Sequence, residues 1–124
     1  MILFPGETNL PASFKVSDCL IAGHPARFAV CPGVCHRERR PLSCRIFPLA
    51  PYLNADGSLS VIPDPRGRRL CPLLSESALP LITRSFSLAV DDVFRRLLTI
   101  ADIRIMLISY TKMLDDYLQF TSGA

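Results

Sequence analysis

The chain has 124 residues, enough for one domain with a real core, and its hydrophobic share of 49% excludes a disordered charged tail. A formal charge of +3 is too small to announce a nucleic-acid binder by itself. The longest apolar run, Ile100 to Tyr110, is broken by Asp102 and Arg104 and is too short for a bilayer core of roughly 30 Å, so no membrane insertion is expected.

The opening Met1-Ile2-Leu3-Phe4-Pro5-Gly6-Glu7 has no basic stretch followed by a long apolar run, which sets a cytoplasmic location as the expectation. Ile2 to Phe4 and Arg27 to Val30 are short strand candidates. Further on, Pro48 to Leu53 and Leu59 to Pro63 flank the turn signal Asn54-Ala55-Asp56-Gly57 and predict a small ribbon, with the prolines at edge positions. Little core is expected from this half alone. All 11 prolines lie at or before Pro80. The chain therefore divides into a proline- and cysteine-rich half, 1–75, and a helical half, 76–124, within a single 1–124 domain.

In the second half, Ile82, Phe86, Ala89, Val90, Val93, Phe94, Leu97 and Leu98 recur at helical intervals. Asp91 with Arg95 and Asp92 with Arg96 add acid-before-base pairs one turn apart. Thr99, three residues before Asp102, reads as a cap opening a second apolar series from Ile103 through Met106, Leu107, Tyr110, Met113, Leu114, Tyr117 and Leu118. A helical hairpin, or one helix bent near Thr99, follows. Its apolar face needs cover from the cysteine-rich half or from a second protomer. The predicted class is α+β.

Four of the five cysteines fall between Cys31 and Cys71, in the order Cys31-xxx-Cys35, then Cys44, then Cys71. Thiolate is a soft ligand, and four of them around one ion close a tetrahedral structural site; with iron and sulfide they would hold a cluster instead. The spacing does not separate zinc from iron, and inert buried thiols or redox chemistry remain open. An odd cysteine count in a reducing compartment argues against a disulfide framework.

Charge gathers in the same region. From Arg27 to Arg69 eight arginines face Glu38, Asp56 and Asp64, a local 8 − 3 = +5, leaving 3 − 5 = −2 elsewhere. A four-thiolate site is anionic, so Arg37, Arg40 and Arg45 are candidates to donate to the sulfurs, while Arg39, Arg66, Arg68 and Arg69 read as solvated basic surface. His36 is an alternative ligand, Cys19 a buried residue held in reserve as one, and His24 a loop residue before Pro25. Asp91-Asp92 and Asp115-Asp116 are adjacent on helices, point about 100° apart, and read as solvated charges rather than acid/base pairs. No phosphate-binding, hydrolase or metalloprotease motif occurs, and no catalytic residue emerges.

The stretch Cys31-Pro32 … Cys35-x-Arg37-Glu38-Arg39-Arg40-Pro41-Leu42-Ser43-Cys44-Arg45-Ile46-Phe47-Pro48-Leu49, followed by Cys71-Pro72, resembles the YkgJ-like cysteine-cluster family, described as zinc- or iron-chelating domains with a CxxCxxCC signature. Leu3-Phe4-Pro5-Gly6-Glu7 resembles the segment that follows the first cysteine group in that family. The resemblance covers the first 75 residues or so. It implies Cys31, Cys35, Cys44 and Cys71 as metal ligands, with Arg40-Pro41 and Arg45 as their scaffold. This chain lacks the CxxCxxCC group and begins just after where it would stand, through a downstream start or by reduction to the second cysteine set. The expected function is binding of zinc, iron or an iron–sulfur cluster. The alternatives are an iron–sulfur oxidoreductase or an accessory domain of a modification enzyme, and a metal-free protein that dimerises or binds a partner through its C-terminal helices.

Overall fold

The computed structural model describes residues 1–33, 37–67 and 83–122. It has strands and helices together. Among the described residues five strands run in the first half: β1 (Ile2–Leu3), β2 (Lys15–Ile21), β3 (His24–Val30), β4 (Leu49–Leu53) and β5 (Leu59–Pro63). A short helix, α1 (Leu42–Ile46), separates β3 from β4, and two longer ones, α2 (Arg84–Leu97) and α3 (Ala101–Ser122), follow.

β1, β3 and β2 form an antiparallel sheet in that order, and β4 with β5 forms a separate ribbon. The register pairs Ile2 with Phe28 and Leu3 with Arg27. On the other side of β3, Cys19 stands opposite Ala26 and Ile21 opposite His24. β2 turns into β3 through Ala22 and Gly23 alone, with φ of 46° and 84°. Two consecutive left-handed residues are what a two-residue hairpin with the natural strand twist requires. β2 was not among the expected strands, and His24, expected in a loop, opens β3. The cause is chemical: Ala at the first turn position is strained and gives no turn signal, and Asp18 and Cys19 interrupt the apolar pattern.

Both helices lay their apolar stripes on the ribbon and on the N-terminal segment. α3 buries Ile103, Met106, Leu107, Tyr110 and Leu114, and α2 buries Val90 and Phe94. These join Ile2, Phe4, Ile21, Ile46, Leu49, Ala50 and Leu59 in one core. Cover for the helices thus comes from the cysteine-rich half, which supplies far more core than expected. Phe4 stands at the junction, its ring centroid 5.3 Å from Phe94 and 5.6 Å from Tyr110. A second, smaller cluster of Leu3, Phe14 and Ala29 packs with Met1, Leu10 and Cys31.

Helix ends are met locally. Thr83 caps α2, its hydroxyl accepting from the Phe86 N–H at 3.3 Å. Ile82, the expected start of the series, lies outside the described residues. Thr99 does not open α3 as expected: its hydroxyl donates to the Arg96 carbonyl at 2.7 Å and so finishes α2. Arg104 covers the same end, with Nε and Nη2 donating to the Leu98 carbonyl at 3.1 and 2.7 Å. Both expected acid–base pairs on α2 form, Asp91 with Arg95 and Asp92 with Arg96.

Two polar links tie α3 to the ribbon. Thr111 is buried and its hydroxyl accepts the outward N–H of Leu53 at 2.9 Å, closing part of an open strand edge. Beyond β5, Asp64 is buried and takes Nε and Nη2 of Arg66 at 3.0 and 2.7 Å, while Nη2 also donates to the Tyr110 hydroxyl at 2.7 Å. Arg66 is therefore no solvated surface charge. Its intended partners lie within two residues and one helix face, which a run of arginines in sequence conceals. Arg68 and Arg69 lie outside the described residues.

Burial pushes the Tyr110 phenol up to about 12; Arg66 opposes the shift and Asp64 adds to it. Below pH ~10 both folded and unfolded chains keep this proton, so it has no effect on stability. Between pH ~10 and ~12 only the unfolded chain ionises, which removes about 1.4 kcal/mol per pH unit, roughly 2.7 kcal/mol in all. Tyr110→Phe should cost about 1 kcal/mol at neutral pH through the lost acceptor for Arg66. In urea titrations from pH 8 to 11.5 the wild type should begin as the more stable protein and end as the less stable; a difference that does not change with pH contradicts the assignment.

Candidate functional site

The phrase that opens the chain and the phrase around Cys44 are bound to each other. Phe4-Pro5-Gly6-Glu7 is a tight turn, closed by the Glu7 N–H on the Phe4 carbonyl at 3.1 Å, with Gly6 at φ 93° in the position that needs a left-handed residue. The turn aims the Glu7 carboxylate inward. One oxygen accepts the Phe4 N–H at 2.7 Å and the other the Leu42 N–H at 2.6 Å. Leu42 is the first residue of α1, and the preceding Pro41 offers no side-chain acceptor for it. An acid 35 residues away supplies the missing cap.

Two further bonds fix this junction. The Ser43 hydroxyl donates to the Ile2 carbonyl at 2.6 Å, and Arg27 Nη2 donates to the Glu7 carbonyl at 2.7 Å. Cys44 follows Ser43 on α1, half-buried, at the wall of an open cleft of about 680 Å³ that Arg40, Arg45, Phe47 and Phe86 also line. Arg45 folds back over the approach to α1. Its Nε donates to the Arg40 carbonyl at 2.9 Å, and its Nη2 donates to the Glu38 carbonyl. The guanidinium expected beside a sulfur is thus spent on the backbone of the loop. Arg40 is exposed on the same cleft.

Cys31 lies immediately after β3, half-buried against Leu3, Phe14 and Ala29. Its Sγ accepts the Gly33 N–H at 3.4 Å, with Gly33 at φ 100°. A backbone N–H on sulfur is the contact that metal-bound thiolates make in their surroundings. Cys19, paired opposite Ala26, packs against the main core as expected. All three described cysteines are free.

Met1 pairs with Ala29 beside this segment. Its amino group donates to the Ala29 carbonyl at 2.7 Å and is held below its ordinary value chiefly by burial, then by Arg66. The Ser43 bond sets α1 beside Ile2, whose ladder partner is Phe28 on β3, the strand that Cys31 follows. Among the described residues no three His, Cys, Asp or Glu side chains form a group able to hold an ion. The other two expected ligands, Cys35 and Cys71, lie outside the described residues, as does His36.

Glu7 and Arg66 carry structure here that sequence reasoning did not single out. Both act across long separations, Glu7 on Leu42 and Arg66 on Tyr110, besides the local pair that Arg66 makes with Asp64. Asp115, expected as a solvated charge, accepts the Tyr52 hydroxyl at 2.7 Å. No helix among the described residues is long and apolar enough to cross a membrane. Compared with known proteins, the chain matches no family model, no curated protein and no solved structure.

Removing Glu7 orphans two N–H groups at once. Glu7→Ala should cost about 2 to 3 kcal/mol, against about 1 kcal/mol for Ser43→Ala, in urea unfolding at neutral pH. A loss of under 0.5 kcal/mol for Glu7→Ala would show that water replaces the carboxylate and that the junction does not depend on it.

Proposed function

We propose that this protein is a metal-binding cysteine-cluster protein whose ion is held by Cys31, Cys35, Cys44 and Cys71. The observation that supports the reading best is the Gly33 N–H on the Cys31 sulfur at 3.4 Å, with Cys31 and Cys44 both half-buried and neither in a disulfide. The donor set suits zinc, and equally an iron–sulfur cluster; four thiolates leave no coordination position for water on zinc, which makes a structural role the simplest one. The bound ion would supply cross-linking of irregular backbone, and the chain's own residues do the rest. Gly33 donates to the Cys31 sulfur, Glu7 and Ser43 fix α1 under Cys44, and Arg45 shapes the loop that leads to it.

Cys19 is left out of the set. Its place in the ladder opposite Ala26 turns it to the apolar core with Ile2 and Ile21, where a small hydrophobic side chain is what packing asks for.

The test is elemental analysis with an absorption spectrum on protein purified without oxygen or chelator, wild type beside Cys44→Ser and Cys19→Ser. About one zinc per chain without a visible band supports the structural site, and iron with sulfide supports the cluster. Cys44→Ser should lose the metal and melt at lower temperature, while Cys19→Ser keeps it. Metal-free, well-folded wild type, or unchanged metal content in Cys44→Ser, overturns the reading.

A further inference from the structure

On the side of the ribbon covered by α3, a cleft of about 800 Å³ opens between the β4–β5 turn and the corner where α2 meets α3. That volume is within the range of small-molecule sites, roughly 300 to 1,000 Å³. Leu53, Leu98 and Ile108 line it with apolar surface, and Arg95, Arg104 and Lys112 bring three positive charges to it. Asp115 is the one acid among its lining residues, and its carboxylate already accepts the Tyr52 hydroxyl. With Arg95 paired to Asp91, the charge left to the cleft is 2 − 1 = +1.

Two of these cations are held in place before any ligand arrives. Arg104 uses Nε and Nη2 on the Leu98 carbonyl, which fixes the plane of its guanidinium and neutralises the carbonyl end of α2. Of its five N–H donors at least two, on Nη1, remain unspent. Arg95 is held by Asp91 in the same way. Lys112, exposed one turn after Ile108, makes no hydrogen bond or ion pair among the described residues. A preorganised guanidinium and a free ammonium beside Ile108, which is 47% exposed, suit a ligand with an anionic head and an apolar body.

We propose that this cleft binds a small organic carboxylate, its head on Arg104 and Lys112 and its apolar part against Leu53 and Ile108. A bare inorganic anion leaves the apolar wall in water, and a cation meets a field of the wrong sign. The cleft has no cysteine, so the proposal stands apart from the metal reading.

Titrating the metal-loaded or as-purified full chain with sodium hexanoate, followed by amide resonances in two-dimensional NMR at constant ionic strength, tests it. Saturable shifts at Leu53, Ile108, Thr111 and Lys112 are expected. Lys112→Ala should weaken binding about fivefold, and Asp115→Asn, whose amide oxygen still accepts the Tyr52 hydroxyl, should strengthen it about threefold. Inorganic phosphate at equal concentration should leave these resonances in place. Absence of saturable shifts, the same affinity in Lys112→Ala, or equal binding of phosphate each overturns the proposal.

Discussion

The carboxylate of Glu7 is the contact on which the placement of α1 against the N-terminal segment depends. It accepts one N–H from Phe4 and one from Leu42, so it binds the turn after β1 to the first residue of α1. α1 has five residues, too few to hold a helix through its own hydrogen bonds, and Pro41 before it contributes no side-chain cap. Its shape is therefore set from outside. Phe4, whose N–H Glu7 takes, places its ring between Phe94 and Tyr110. One acid thus relates the helix that bears Cys44 to the core that bears α2 and α3. Burial of Phe4 supplies the driving force, of the order of 3 kcal/mol for a phenyl ring, and the carboxylate supplies the direction.

The polar groups inside the molecule follow the same logic at the far end of the ribbon. Asp64, Arg66 and Tyr110 satisfy one another among the described residues, and the Arg66 guanidinium also lies 5.2 Å from the Tyr110 ring centroid. Such a set adds little net stability over an apolar replacement, but it favours one arrangement, since a displacement of α3 along the ribbon takes the buried Tyr110 hydroxyl away from the Arg66 guanidinium. The Thr111 hydroxyl on the Leu53 N–H selects the same placement independently. Apolar packing brings α3 onto β4, and these two polar contacts select its position there.

What could be read from the chain was what depends on near neighbours. The ribbon with its Asn54–Gly57 turn, the buried stripe of α3 and the ion pairs of α2 are all expressed in spacings of two, three or four residues. The β2–β3 hairpin was missed because Ala22 adopts a left-handed conformation that its side chain disfavours, and Pro25 sits within the paired strand. Pro25 is tolerated there because β1 reaches only Arg27 and Phe28, leaving the β3 edge unpaired beside it. Arg66 and Asp115 looked like solvated charges for a related reason: Tyr110 and Tyr52, whose hydroxyls they meet, lie 44 and 63 residues away. Of the candidate site, Cys31 and Cys44 are described, each half-buried and free, while Cys35 and Cys71 fall outside the described residues.

The three described cysteines differ in how freely their backbone can adapt. Cys19 sits in mid-strand with its partner Ala26 across the ladder, so its direction is dictated by the pleat. Cys31 stands one residue beyond the end of β3, followed by Pro32 and a left-handed Gly33, where the chain is free to wrap a sulfur in N–H donors. Cys44 lies in a helix too short to hold itself, anchored by Glu7 and Ser43 on one side and open to a cleft on the other. An ion shared by such positions, as proposed, would stabilise backbone that has few ladder hydrogen bonds of its own, and its binding free energy would become folding free energy for that segment. A thiol in the position of Cys19 would gain nothing comparable, since the sheet already holds it.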